Sequence, residues 1–184
     1  MSSPSAFTPP SSAFWVFAYG SLMWNPDFPF TEQHHATLYG YHRALCVYSW
    51  VYRGTEANPG LVFGLDHGGA VQGIAFRIAA KNAASVYAKI FEREMITNVY
   101  KPHWASCRLA GNHDQPTRAL AFVANRANKQ YAGRLSEAET LRLIRAGHGT
   151  AGPCTEYVTN TACHLRDIGI RDHTLERLAR QLAP

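Results

Sequence analysis

Residues 14–19, Phe-Trp-Val-Phe-Ala-Tyr, form an almost unbroken aromatic and β-branched run that stops at Gly20. Such a run suits a strand buried on both faces better than an amphipathic helix. A second long run, residues 38–51, sets Leu45, Val47, Ser49 and Val51 against Cys46, Tyr48, Trp50 and Tyr52, so both of its faces carry bulk. Further strand patterns fall at 61–65, 71–78, 103–109 and 117–124. The segments 61–65 and 71–78, separated by Asp66-His67-Gly68-Gly69, read as a hairpin. This much two-faced strand needs closure or covering. The predicted fold class is therefore α+β, a small mixed β-barrel of about six strands with surrounding helices.

The chain has 184 residues, of which 46% are hydrophobic and 17% charged, which describes one globular domain and excludes a disordered chain. Residues 1–13, rich in Ser, Pro and Ala, read as a flexible tail without the basic start and apolar core of a secretory signal, leaving 14–184 as a single domain. No apolar run approaches the roughly 20 residues a membrane helix needs, so the expectation is a soluble, cytoplasmic protein. A net charge of +5 spread along the chain lacks the basic block of a nucleic-acid tail. Cys46, Cys107, Cys154 and Cys163 share no close spacing and read as reduced thiols. The doublet His34-His35, with no carboxylate or cysteine at ligand spacing, reads as surface rather than metal site.

Gly20, Ser21 and Leu22 follow the first strand directly. A glycine there permits a sharp turn whose successive N–H groups form a nest for a carboxylate or an oxyanion. A plain strand-ending turn is the alternative. Arg53-Gly54 stands at the end of the second strand, where the guanidinium can clamp a substrate carboxylate or cap a loop carbonyl.

Residues 82–96 form the first clear helix, with Ala83, Tyr87, Ile90 and Phe91 on its core face. Glu94 falls within roughly 20° of Tyr87 on that face, whereas Glu92 points to solvent. A carboxylate extending a buried stripe must be paired or used. Arg93, its neighbour, is expected to face away, leaving either an arginine across the core as partner or a general base whose pKa is raised by burial. Ser136-x-x-Glu139 opens a helix ending at Ala146, and further helices are predicted over 154–168, after the glycine-rich turn 147–153, and from Asp172 to about 182. Tyr157 lies at the inner start of the former, either as core or with its phenol reaching a polar pocket.

Taken in order, Tyr19-Gly20-Ser21-Leu22, Arg53-Gly54 before Pro59-Gly60, Arg93-Glu94, Gly152-Pro153, Glu156-Tyr157 and His164-Leu165-Arg166 resemble the γ-glutamylcyclotransferases of the ChaC type, from residue 14 to about 178. The chain looks like the glutathione-directed branch. It differs from the commonest pattern in having Met-Ile-Thr-Asn-Val-Tyr after Glu94 and Val51-Tyr52 in place of an Asp-His pair. The resemblance implies a γ-glutamylcyclotransferase-like barrel and release of 5-oxoproline and Cys-Gly from glutathione by the substrate's own amine. It also implies Glu94 as the catalytic residue, and Tyr19, Gly20, Ser21, Leu22, Arg53 and Tyr157 as substrate-binding residues. No metal or cofactor is implied, and the partner is a small molecule, with neither nucleic acid nor membrane. Other γ-glutamyl amino acids or amines are the alternative substrates. Two other classes stay open. A serine hydrolase would use Ser21, although the second glycine of Gly-x-Ser-x-Gly is missing. A non-catalytic barrel would bind a small anion, or single-stranded nucleic acid on Tyr48, Trp50 and Tyr52.

Overall fold

A computed structural model of the chain describes residues 8–111 and 116–182. Part of the expected tail, 1–7, and the centre of the expected turn at 111–116 lie outside the described residues. Five strands close a barrel in the order β1-β3-β2-β4-β5: β1 (Phe14–Ala18), β2 (Glu32–Ser49), β3 (Gly60–Ile78), β4 (Tyr100–Leu109) and β5 (Thr117–Ala124). β1 lies antiparallel to β3 with Phe14 opposite Ile78, and parallel to β5 with Trp15 opposite Ala119. Its side chains are buried except for the half-buried Trp15, as a two-faced run requires.

The expected hairpin at 61–78 is instead one strand, which is why five barrel strands stand where six were expected. Gly68 and Gly69 adopt φ of 100° and 76°, a conformation open to glycine, and they kink the strand without reversing it. Residues Ile74–Ile78 pair with β1 and not with the first half of their own strand. β2 begins at Glu32, six residues before the expected 38. Its first residues, Glu32-Gln33-His34-His35, carry polar side chains that mask the strand in the sequence. His34 there lies against Trp15 (ring centroids 5.7 Å apart) and its Nε2 meets Glu32 Oε2 at 3.3 Å.

The chain divides into two compact units, one running up to His42 and resuming at His67–Val123, the other comprising Arg43–Asp66 and the chain from Ala124 onward. In the first, α1 (Ala83–Glu94) buries Ala83, Val86, Tyr87 and Ile90. The Tyr87 and Phe91 rings stack at 4.2 Å, and Phe91 meets Phe122 of β5 edge-on at 5.5 Å. In the second, three helices pack together: α2 (Glu137–Ala146), α3 (Cys154–Asp167) and α4 (His173–Leu182). Ser136 Oγ accepts from Glu139 N at 3.2 Å, and Asp172 Oδ1 from Leu175 N at 3.0 Å, so both sequence-predicted caps form. Asp172 also receives Arg43, whose side chain is only 4% exposed. Asp66, buried in the same unit, accepts from Arg126 at 2.7 Å and from the Tyr131 hydroxyl at 2.9 Å. Between α2 and α3 a two-stranded ribbon, β6 (His148–Gly149) and β7 (Gly152–Pro153), replaces the expected plain turn. Among the described residues no helix is long and apolar enough to cross a membrane.

Candidate active site

The turn after β1 begins at Gly20 and continues as a single 3-10 turn, Ser21–Met23. Its first backbone bond runs from Met23 N to the Gly20 carbonyl at 2.9 Å. The N–H groups of Gly20, Ser21 and Leu22 precede that bond, the position at which a helical turn has no acceptor of its own. Leu22 is buried, and its side chain anchors the turn. Tyr19 is 8% exposed, and its hydroxyl donates to the Phe122 carbonyl at 2.9 Å, fastening the end of β1 to β5. This bond fixes Tyr19 directly before the turn.

In the same unit α1 ends at Glu94, whose side chain is 17% exposed against 29% for Arg93. Glu92 is exposed, as the helical phase predicts. Burial pushes the Glu94 carboxyl above the usual carboxylate range, and the Arg93 charge opposes that rise without cancelling it. The expectation that Arg93 faces away from Glu94 is corrected here: Arg93 Nε lies 3.5 Å from Glu94 Oε1. Helical phase places Cα–Cβ directions, but a guanidinium on a long stem at the last turn can fold back beyond them. The same guanidinium donates to Ser21 Oγ at 2.9 Å and to the Asn25 carbonyl at 2.8 Å. Sequence reasoning did not assign a role to Arg93. Its signals were adjacency to Glu94 and its place in the Arg93-Glu94 pair that the family resemblance uses.

These bonds bear on the hydrolase alternative. The Ser21 oxygen accepts a hydrogen bond from a cation, whereas a nucleophilic serine must hand its own proton to a base. Of the three aromatic residues of the stacking alternative, Trp50 has Lys129 Nζ 4.7 Å from its ring centre and Tyr52 is exposed.

The remaining site residues belong to the second unit. The chain turns after β2, closed by Arg53 N donating to Ser49 Oγ at 3.0 Å. Arg53 Nη1 donates to the Pro153 carbonyl at 3.1 Å, and its guanidinium carbon sits 5.5 Å from the centre of the Tyr157 ring. Capping a carbonyl is therefore one thing Arg53 does, using one of its five N–H donors. Tyr157, half-buried at the start of α3, accepts from Phe63 N at 3.2 Å and packs against the Phe63 ring. The β6–β7 ribbon holds this arrangement from behind: Thr150 N and Ala151 N donate to the Val51 and Tyr52 carbonyls, both at 2.9 Å. A Cβ on Gly149 would meet the Tyr52 carbonyl carbon and come 2.5 Å from the Val51 oxygen and 2.6 Å from Arg53 N, so only glycine lets the ribbon approach this closely. Cys154, buried beneath, has its thiol pushed up to about 11 by desolvation, and Cys46 and Cys107 are likewise buried, free and raised to about 12 and about 11. These are packed thiols without thiolate character.

With this geometry in place, comparison with known proteins identifies the lineage. The family model described as ChaC-like protein matches residues 14–183. The glutathione-specific gamma-glutamylcyclotransferase of Escherichia coli K12 is 33% identical over 173 residues, spanning 94% of this chain and 74% of the relative. The human glutathione-specific gamma-glutamylcyclotransferase 1 is 31% identical over 152 residues, spanning 82% of this chain and 68% of the relative. A crystal structure of a yeast gamma-glutamyl cyclotransferase specific to glutathione superposes with a TM-score of 0.83 at 23% identity, covering 93% of this chain and 96% of that one, which establishes the shared fold. The residues that close the first strand, end α1 and open α3 are therefore those of a chain that belongs to the ChaC-like family.

Proposed function

We propose that this chain is a glutathione-directed γ-glutamylcyclotransferase, an enzyme that converts glutathione to 5-oxoproline and Cys-Gly, and that Glu94 is its acid/base. The observation that carries the assignment of Glu94 is a buried carboxyl with a raised pKa at the end of α1, joined through Arg93 to the glycine turn. The names of the Escherichia coli and human relatives support the choice of substrate.

The chemistry follows from the groups. The substrate's α-ammonium is not a nucleophile, so Glu94 takes one proton from it. The freed amine attacks the γ-carbonyl carbon, a C–N bond forms within the glutamyl moiety, and the carbonyl oxygen becomes an oxyanion. Glu94 then passes its proton to the departing amide nitrogen as the old C–N bond breaks and the carbonyl re-forms. The Glu94 carboxylate takes the second proton from the ring nitrogen and gives it to the released amine, which leaves 5-oxoproline and an ammonium product with no water consumed. A carboxyl whose pKa is raised by burial is a stronger base than an ordinary carboxylate and can return the proton it takes, which suits both transfers. The N–H groups of Gly20, Ser21 and Leu22 are assigned to the oxyanion or to the substrate's carboxylate. Ring closure is intramolecular, so holding the glutamyl chain folded supplies much of the acceleration. Arg53, beside Tyr157, is assigned to a substrate carboxylate through its remaining donors. This mechanism asks for no metal or organic cofactor. Residues 14–184 are taken as one catalytic domain acting on a small molecule, a reading supported by the extent of the family match, and the reduced, free cysteines favour a cytoplasmic setting.

Incubation with glutathione, followed by mass spectrometry, tests the proposal: 5-oxoproline and Cys-Gly should appear in equal amounts. Parallel incubations with γ-glutamyl amino acids and amines read out the alternative substrates. Absence of 5-oxoproline from every γ-glutamyl compound would overturn the proposed reaction.

A further inference from the structure

We infer that Arg93 is the positioning residue of the reaction, its guanidinium clasping the glycine turn through Ser21 and Asn25 while it holds the Glu94 carboxylate in place for proton transfer. This inference rests on the assignment of Glu94 as acid/base.

All three guanidinium nitrogens are engaged, in three directions. Nη2 donates to Ser21 Oγ at 2.9 Å, Nη1 to the Asn25 carbonyl at 2.8 Å, and Nε faces Glu94 Oε1 at 3.5 Å. Two of these partners bracket the 3-10 turn that presents the Gly20, Ser21 and Leu22 N–H groups. The third is the carboxylate itself. The planar fork therefore fixes the spacing between the end of α1 and the turn, which is the spacing that oxyanion donors and an acid/base must keep. A lysine offers the same charge on one nitrogen and cannot span three separated acceptors. The Glu94 contact, longer than a tight ion pair, leaves the carboxylate available to a substrate ammonium.

The clasp also sets the working pH. Of the other charged side chains in the second half of α1, Lys89 pairs with Asp27 at 3.0 Å and Glu92 is exposed. Tyr87, on the same face as Glu94, has its phenol pushed up to about 12 by burial and stays neutral. The β5 side chain that meets this helix face is Phe122, which is apolar. Arg93 is thus the cation that offsets the desolvation of Glu94.

Three variants test this: Arg93→Met, Arg93→Lys and Ser21→Ala, each checked for folding by circular dichroism. The readouts are kcat and KM, the pH profile of kcat/KM, and a ¹³C-carboxyl NMR titration of Glu94 that requires no activity. Arg93→Met should lower kcat about 10²-fold, as misplacement of a reacting group does. It should also move the Glu94 titration and the acid limb of kcat/KM to higher pH by about one unit, since a nearby cation is lost. Arg93→Lys should leave the titration near that of the native chain while kcat still falls about tenfold, because the charge remains and the fork does not. Ser21→Ala should lower kcat several-fold with KM and the titration little changed. Native kcat with an unmoved titration in Arg93→Met overturns the inference. Should Arg93→Met fail to fold, native kcat in both Arg93→Lys and Ser21→Ala overturns it equally. An inactive Glu94→Gln beside a fully active Arg93→Met removes this inference alone, whereas an active Glu94→Gln removes the acid/base assignment on which it stands.

Discussion

Arg93 donates to the hydroxyl oxygen of Ser21 at 2.9 Å, joining residues separated by 72 positions in the chain. The bond makes Ser21 an acceptor held by a cation. A serine used as a nucleophile is hydrogen-bonded in the opposite sense, as donor to a base. The expected outcome is that a serine-reactive phosphonate leaves the protein unlabelled under conditions in which glutathione is turned over. Stoichiometric labelling at Ser21, read by intact-protein mass, would favour the hydrolase chemistry instead.

Glu94 and Glu92 separate catalysis from surface charge. Glu94→Gln keeps size and hydrogen bonding but cannot accept a proton, and should reduce kcat by about 10²–10⁴-fold. Glu92 is exposed, and Glu92→Gln should change stability by no more than about 0.5 kcal/mol with kcat unchanged. Steady-state rates on variants shown to be folded decide between them. A Glu94→Gln protein retaining more than about a tenth of native activity would require another base, because that is well above the loss expected for such a group.

Stability should respond to the same carboxyl in the opposite sense from most acidic residues. The folded-state pKa of Glu94 is raised by burial, so the folded chain binds its proton more tightly than the unfolded chain. The contribution of that proton is complete below the unfolded pKa, about 4.3, and is lost as pH rises through the higher folded value. Glu94→Gln is uncharged at every pH. Its melting temperature should match the native protein below about pH 4 and exceed it increasingly above. Parallel melting curves across pH check this, and a Glu94→Gln chain that is less stable at neutral pH than at acid pH, relative to the native one, would contradict burial as the cause of the shift.

Arg53 and Tyr157 should act on binding more than on the chemical step. Arg53→Ala removes a potential carboxylate partner and also the donor to the Pro153 carbonyl. KM for glutathione should rise about tenfold or more, as expected for losing a charge-assisted hydrogen bond, with a smaller change in kcat. Tyr157→Phe leaves the aromatic surface beneath the guanidinium but removes the acceptor for Phe63 N, so a milder rise in KM accompanied by a loss of stability is expected. Initial-rate measurements over a range of glutathione concentrations make the comparison. A fall confined to kcat in Arg53→Ala would place the residue elsewhere in the reaction.

Gly149→Ala tests the ribbon that supports Arg53. The added Cβ would stand 2.6 Å from Arg53 N and meets backbone on every near side, so neither a rotamer change nor a flexible side chain can relieve it. The variant should be destabilised by roughly 1–3 kcal/mol and show a raised KM, because the segment carrying Arg53 must shift. Thermal melts and initial rates together measure both effects. An unchanged KM in a destabilised variant would separate the ribbon from substrate binding.

How much of this was legible beforehand depended on whether the cause was local. The two-faced run of β1, the turn at Gly20, the Ser136 and Asp172 caps and the placement of Glu94 on the buried face of α1 all follow from neighbours in sequence. Strand composition, capping chemistry and helical phase are short-range physics, and so is the contrast between Glu94 and the exposed Glu92. The hairpin expected at Gly68-Gly69 failed because pairing partners decide whether a glycine pair reverses a strand or only kinks it, and β1 claimed residues 74–78. The polar start of β2 was hidden for the same reason, since its strand character comes from β4, where Ala36 stands opposite Leu109. Arg93 was the largest omission. A long, flexible cation has no preferred partner until folding brings Ser21 and the Asn25 carbonyl within its reach, so its role could be set only by tertiary structure.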